Sequence, residues 1–166
     1  MYKDLKELPD NSKLWIFQAD RIISESEKIK LELGLKDFCH NWTSHDKPLE
    51  TSFAVMHNLF ILLCANDAEN PIGGCSIDTS VKAIKTLQSQ NNLDFFRRDL
   101  VAIIEDKQIG LYPTTEIKNR IMNETISDEA LVFNNAIRHK DDIDTNWIKP
   151  IKESWMAKYF ANQMYS

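Results

Sequence analysis

The sequence contains little of what marks an exported, fibrous or membrane-embedded protein. Its three cysteines, Cys39, Cys64 and Cys75, are an odd number without close spacing, which suits a reducing cytoplasm better than a disulfide framework. Only four glycines and five prolines occur, so long coil segments are not expected. The charged first residues lack a signal-peptide core, and the longest apolar run, 59–65, is too short to span a bilayer. We therefore expect a soluble cytoplasmic protein without a membrane contact.

The charge of the chain argues against a nucleic-acid-binding role. The formal net charge is −5, and the basic residues are scattered, with Arg97-Arg98 as their densest pair. An acidic balance works against binding to phosphate backbones. With 166 residues and 43% apolar residues, the chain is predicted to form a single domain of residues 1–166.

Hydrophobic periodicity predicts alternating strands and helices in the first two thirds of the chain. Ser24 and Glu27 have the spacing of a capping box, which predicts the start of a helix. His57-Asn58 is a plausible two-residue hairpin turn, because asparagine tolerates positive φ. The predicted elements are a strand at 14–19, a helix at 25–42, strands at 49–56 and 59–65, a helix at 78–90, and strands at 100–104 and 109–112.

This order predicts an α+β fold with a ferredoxin-like βαββαβ core and a largely antiparallel sheet, plus an extra hairpin strand. The core would span about 13–112, and 113–166 would form a C-terminal helical extension packed on it. Within that extension we expect a short helix after Pro113, a short strand at 130–133, and a helix from Asp141 to Phe160, broken or kinked at Pro150.

Five stretches of the sequence are distinctive: 41–45, 74–78, 94–98, 133–135, and the tail with Trp147 and Trp155. Through these stretches, of which the second is the most specific, the chain resembles a family of uncharacterised proteins from Bacteroidota bacteria. Members of that family often carry the name "ABC transporter ATPase". The sequence argues against that activity, because none of its glycines begins the G-x-x-x-x-G-K-[ST] loop that holds nucleotide phosphates. The resemblance implies a family but no mechanism.

The most distinctive polar feature is the stretch 73–80, which lies between a predicted strand and a predicted helix. Helix N-termini present unpaired N–H groups that bind anions or activate a thiol. Cys75 is then a candidate nucleophile and Ser76 a candidate anion ligand, with Gly74 and Asp78 beside them. The same residues also suit an ordinary glycine turn with an Asp or Ser N-cap and a buried structural cysteine.

Histidines and asparagines elsewhere are candidates to complete such a site. His45 and His57 are candidate bases that only the fold would bring to Cys75, and Asn134 with Asn135 either orders a turn or orients a ligand. A metal site is not expected, because no H-E-x-x-H or paired C-x-x-C motif occurs. No cofactor fingerprint was found either.

The C-terminal segment is rich in aromatic residues. Trp147 and Trp155 are eight residues apart, so in one helix they would share a face with Tyr159 and Phe160 nearby. That face would dock on the core or form an interface with a protein partner or a second copy. Two functions remain open: a non-catalytic binding or interaction protein, which we favour, and a small enzyme using the thiol or anion site at 74–78.

Overall fold

The computed structural model describes residues 1–163 and divides the chain into two compact units. The first unit is Met1–Arg97 with Ala136–Asp142, and the second is Arg98–Asn135 with the residues from Ile143 onward. The prediction of one domain, with a core at 13–112 and an extension at 113–166, stays a prediction, and the last three residues lie outside the described range.

The first unit contains a three-stranded antiparallel sheet, two long helices and a small hairpin. The strands of the sheet follow the order β1-β5-β4. The bounds are β1 (Lys13–Gln18), α1 (Glu25–Asn41), β2 (Thr43–Ser44), β3 (Lys47–Pro48), β4 (Glu50–Met56), β5 (Phe60–Asn66) and α2 (Gly74–Asn91), preceded by a 3-10 turn at Leu5–Glu7. The hairpin between β4 and β5 is confirmed, but its turn contains three residues, 57–59, and not the predicted two. Within it His57 and Asn58 have φ of 56° and 50°, in the left-handed region.

Helix α1 begins at the predicted capping box. The Ser24 hydroxyl accepts a hydrogen bond from the Glu27 amide at 3.2 Å, and the Glu27 carboxylate accepts one from the Ser24 amide at 2.9 Å. Its inner face buries Leu31, Leu35 and Cys39 completely. Gly34 lies where α2 approaches α1, because a Cβ at this position would clash with a methyl group of Leu87.

Arg21 joins the start of α1 to the end of α2. Its guanidinium donates to both carboxylate oxygens of Glu27, at 2.9 and 2.6 Å. The same group donates to the backbone carbonyls of Asn91 at 3.2 Å and Asn92 at 2.9 Å. Carbonyls at a helix C-terminus have no partner within the helix, so a cation there is favourable.

One aromatic cluster packs on the sheet at the C-terminal end of α1. Trp42 is buried and packs edge-on against Trp15 of β1, with ring centroids 5.7 Å apart, and against the tilted ring of Phe38 of α1 at 5.1 Å. Leu49, Ala65 and Ile72 complete the cluster. The Thr51 hydroxyl donates to the Cys39 carbonyl at 2.6 Å, which ties α1 to β4.

The second unit contains a four-stranded antiparallel sheet in the order β7-β6-β8-β9. Its elements are β6 (Leu100–Glu105), β7 (Gln108–Pro113), α3 (Thr114–Met122), β8 (Leu131–Phe133), β9 (Ile148–Pro150), a 3-10 turn at Ile151–Glu153 and α5 (Ala157–Gln163); a short helix α4 (Asp142–Thr145) begins at the boundary between the units. Its core joins the sheet to α3 and α5 through Ile103, Val132, Ile117, Ile121 and Phe160.

The α+β class with mostly antiparallel sheets is confirmed. The ferredoxin-like βαββαβ arrangement is not confirmed, because β6 pairs with β7 and β8 in the second sheet and not with the strands of the first. The prediction of one helix from Asp141 to Phe160 is wrong. Ile148, Lys149 and Pro150 form β9, which pairs antiparallel with β8, and only Asp142–Thr145 and Ala157–Gln163 are α-helical there.

Across residues 1–163, none of the helices combines the length and apolar character needed to cross a bilayer.

We expect Ser24→Ala to destabilise the first unit by about 1 kcal/mol, because the substitution removes the acceptor for the Glu27 amide. Thermal denaturation followed by circular dichroism measures this change. Thr86→Ala is the matched control: its exposed hydroxyl bonds only to the Lys82 carbonyl of its own helix, so the stability should change by less than about 0.5 kcal/mol. Equal losses in the two variants would contradict the assignment of Ser24 as a stabilising cap.

Acid should remove the stabilisation contributed by Glu27. The Arg21 guanidinium, followed by hydrogen bonds from Ser24, lowers the pKa of the Glu27 carboxyl from 4.5 to about 2. A lowered folded-state pKa stabilises the fold above the unfolded-state value, and this stabilisation disappears as the pH falls from 4.5 towards 2. Urea denaturation should therefore show Glu27→Gln as less stable than the wild type at pH 7, with the difference narrowing over that range. A difference independent of pH would contradict the ion pair.

Candidate functional site

The stretch singled out in the sequence forms the first turn of α2. The helix begins at Gly74, with Gly73 as N-cap in an extended conformation and without a side-chain cap. The predicted Asp or Ser N-cap is therefore wrong, and the helix starts four residues before the predicted Asp78. The Ser76 and Ile77 amides bond to the Gly73 carbonyl at 3.1 and 3.2 Å. Within the described part of the chain, the Gly74 and Cys75 amides donate no hydrogen bond.

A short hairpin that the sequence did not predict stands beside this turn. Strands β2 and β3 are joined by His45 and Asp46, whose φ angles of 53° and 61° place both in the left-handed region. Two consecutive left-handed residues give a tight hairpin turn. The His45 imidazole lies over the start of α2, because a Cβ on Gly73 would stand 3.5 Å from its Cε1 and Nε2 atoms.

Hydrogen bonds fix this hairpin to α2. The buried Trp42 indole donates to the Ser76 carbonyl at 3.0 Å. The Ser76 hydroxyl donates to the Thr43 carbonyl at 2.9 Å. The Ser44 hydroxyl accepts from the Gly73 amide at 3.2 Å and donates to the Pro71 carbonyl at 2.7 Å. These bonds give Ser76 a structural role, so its hydroxyl is already engaged and is a poor anion ligand.

An open concavity of about 340 Å³ lies between the hairpin and the helix. The residues that line it come from both elements: Thr43, Ser44, His45, Asp46, Gly73, Gly74, Cys75, Ser76 and Thr79. Cys75 is an exposed free thiol, so the alternative of a buried structural cysteine is wrong. The Thr79 hydroxyl donates a hydrogen bond to the Cys75 carbonyl at 2.8 Å. The fold thus brings a thiol, an imidazole and a helix N-terminus to one surface.

The other candidates do not line this concavity. Asp78 lies in α2 beyond its first turn and is not among the residues that line the concavity. His57 lies in the β4–β5 turn, where its ring stands edge-on to the Phe60 ring, with the ring centroids 6.3 Å apart. Burial lowers the pKa of His57. Asn134 and Asn135 belong to the second unit. There the Asn135 side chain accepts a hydrogen bond from the Trp147 indole at 3.0 Å, which supports the turn-ordering alternative.

The described residues contain no group of three or more His, Cys, Asp or Glu side chains arranged to hold a metal ion. The other two thiols are not expected to form the reactive thiolate at neutral pH, because burial raises the pKa of Cys39 and of Cys64 to about 12. Cys75 is therefore the only one of the three cysteines that is both exposed and beside polar groups.

A second feature is the outward face of α1, which the sequence analysis did not identify as a surface. Ile29 and Leu33 are 59% and 68% exposed, although both belong to the apolar pattern that predicted the helix. Next to Leu33 is a concavity of about 290 Å³ lined by Tyr2, Leu33, Lys36, Asp37 and His40. The Lys36 ammonium lies 5.4 Å from the centre of the Tyr2 ring. We call Ile29, Leu33 and this concavity the α1 face.

The aromatic residues of the C-terminal segment do not form one surface. Trp147 is buried against Phe133, with ring centroids 5.1 Å apart, and Phe160 is part of the core of the second unit. Among the aromatic residues of this segment that the structure describes, only Trp155 is strongly exposed, at 52%, beside Tyr159 and Lys158. The predicted face fails because Trp147 and Trp155 do not share a helix.

Thiol labelling at neutral pH should modify one cysteine in the folded protein and three in denaturant. Cys75 is exposed, whereas burial of Cys39 and Cys64 blocks access and raises their pKa values. Mass spectrometry after a short exposure to iodoacetamide counts the adducts. The Cys75→Ser variant should give none before denaturation, and rapid labelling of a second thiol would contradict the observed burial.

None of the comparisons with known proteins points to a relative. No family model matches the chain, and the comparisons with curated proteins and with solved structures returned no match. A function must therefore be argued from the contacts, burial and charges of the described residues. The two places that offer such an argument are the concavity at the start of α2 and the α1 face.

Proposed function

We propose that this protein is a soluble, cytoplasmic, non-catalytic interaction protein that binds a protein partner through the α1 face. The observation that carries the proposal is the exposure of Ile29 and Leu33, one helical turn apart, beside a concavity of about 290 Å³. Residues four apart lie on the same side of a helix. The pair therefore presents one apolar ridge.

The exposed ridge is separate from the core of the first unit. Leu31, Leu35 and Cys39 already cover the sheet side of α1 and are completely buried. A single exposed leucine needs no explanation, but an apolar ridge continuous with a concavity is typical of a contact surface. Partners that bind such a ridge bury it and leave the surrounding charged residues as a polar rim.

The state of the cysteines supports the proposed compartment. All three cysteines are free, including the exposed Cys75, which suits a reducing compartment. Membership of the Bacteroidota family that the chain resembles stays a proposal, and the nucleotide-hydrolysing activity in that family's common name is not part of it.

Photocrosslinking tests the α1 face as a contact surface. A benzophenone amino acid in place of Leu33 should give crosslinked adducts in the native host, because a bound partner would lie against this side chain. The matched control carries the same group in place of Lys82, an exposed residue of α2. Adducts from both positions in equal yield, or from neither, would contradict the proposal.

A second candidate function is a small enzyme that uses the Cys75 thiol. The observation in its favour is that His45 and Cys75 line one concavity at a helix N-terminus. An adjacent imidazole and unpaired amides are the groups that activate a thiol and stabilise developing negative charge. Against it stands the structural use of Ser76, which is bonded to Thr43, and the position of His57 away from the concavity.

The rate at which Cys75 is alkylated separates the two functions. Under the interaction proposal, Cys75 reacts with iodoacetamide at pH 7 no faster than a free model thiol such as glutathione. A rate at least about tenfold higher that falls in His45→Gln would instead favour the enzyme, because an imidazole partner raises the thiolate fraction. Thr79→Ala, at another residue lining the concavity, controls for general changes in access.

A further inference from the structure

We propose that the partner of the α1 face is a second copy of this chain, with the two α1 helices packed antiparallel about a twofold axis. This inference rests on the proposed function, since it names the occupant of the same surface. Symmetric dimers are the commonest assemblies of soluble proteins, and a twofold contact requires a patch that is complementary to itself. The α1 face meets that requirement in its apolar residues and in its charges.

The apolar residues define one antiparallel register. Placing Ile29 of one copy opposite Leu33 of the other places Leu33 opposite Ile29 by symmetry, with the axis near residue 31. Leu33 forms part of the wall of the concavity that Tyr2, Lys36, Asp37 and His40 complete. The Ile29 side chain of the second copy would therefore enter this concavity, and the contact would bury both exposed residues of each copy.

The charges along α1 independently favour the same register. Glu25 and Lys36 are both exposed and lie eleven residues apart, about three helical turns, so they share one flank of the α1 face. In a twofold antiparallel packing, each flank meets the same flank of the other copy in reverse order. The midpoint of Glu25 and Lys36 also falls near residue 31, so each Glu25 would meet Lys36 of the other copy.

The size of the contact predicts a weak dimer. Helix α1 has 17 residues, so it is about 25 Å long, and one helix on each side buries less than the roughly 1,200 Å² of a standard interface. We expect a dissociation constant on the order of 100 μM, typical of a transient association. The two symmetry-related ion pairs between Glu25 and Lys36 lie at the rim of the contact. They would determine the register of the helices and contribute less to the affinity.

Sedimentation-velocity experiments on the full chain between about 10 μM and 1 mM test this assembly. The wild type should shift from monomer towards dimer over this range. Leu33→Asp should weaken dimerisation at least about tenfold, and Ile29→Gln is a second, milder variant of the same ridge. Both side chains are exposed, so neither change removes a core contact, and circular dichroism verifies the fold.

Charge reversal tests the register. Glu25→Lys and Lys36→Glu should each weaken dimerisation by about three- to tenfold, and the double variant should restore it, since the pairs re-form with opposite polarity. Lys82→Glu on α2 is the matched control and should change nothing. A wild type that stays monomeric up to 1 mM overturns the proposal. So does a dimer whose affinity Leu33→Asp leaves unchanged, or a double variant whose affinity is no higher than that of the single charge reversals.

The photocrosslinking experiment distinguishes failure of this inference from failure of the proposed function. Adducts from position 33 with the mass of two copies of the chain support both. Adducts with only a different protein overturn the second copy as partner but leave the α1 face as a contact surface. A monomeric protein without adducts overturns both.

Discussion

The first unit depends on strand β5, which is buried on both of its faces. From Phe60 to Ala65 every residue is fully buried, and β1 and β4 pair with it on either side. A central strand of this kind requires cover on both faces. Helix α1 supplies part of this cover with Leu31, Leu35 and Cys39. Trp42, directly after the helix, continues the cover by packing against Trp15 of β1. Because α1 is held by its inner face, its outer face is left to the solvent.

The same packing creates the concavity at the start of α2. Trp42 lies directly after α1, and its indole reaches the carbonyl of Ser76. The short hairpin that follows Trp42 is bonded to the first turn of α2 through Thr43 and Ser44. The neighbourhood of His45 and Cys75 is thus a consequence of how one tryptophan is buried. This origin explains why several polar groups there serve structure, and why we give the α1 face the greater functional weight.

Local signals in the sequence predicted the elements that depend on local interactions. Ser24 and Glu27 predicted the start of α1, and His57-Asn58 predicted the position of the β4–β5 hairpin, although its turn has one residue more, since capping and turn geometry involve neighbouring residues. The pairing of β6 with β8 and of β8 with β9 joins distant segments, and the hydrophobic pattern does not specify such partners. The hydrophobic pattern therefore predicted the sequence of strands and helices but not which strands pair, and the ferredoxin-like topology is not confirmed. Similarly, Trp147 to Phe160 fits a helical spacing, but pairing of Ile148–Pro150 with β8 overrides it.

The candidate surfaces were predictable to different degrees. The glycines before Cys75 indicated a junction into a helix, and the structure has one there, although it begins at Gly74. The position of His45 beside Cys75 depends on a two-residue turn with positive φ, and the dipeptide His-Asp predicts such a turn only weakly. In α1, apolar residues recur at every second position from Ile29 to Leu35. In a helix this spacing puts Leu31 and Leu35 on one side and Ile29 and Leu33 on the other, so the exposed ridge is present in the pattern that predicts the helix, although it was not identified as a surface.

The bridge made by Arg21 couples the stability of two helix ends that are far apart in the sequence. One guanidinium holds the carboxylate of Glu27 in the first turn of α1 and the carbonyls of Asn91 and Asn92 at the end of α2. If either end unwinds, the other loses part of its hydrogen bonding as well. Fraying at these two termini is therefore a shared event, and amide protons in both turns should exchange with solvent through a common opening.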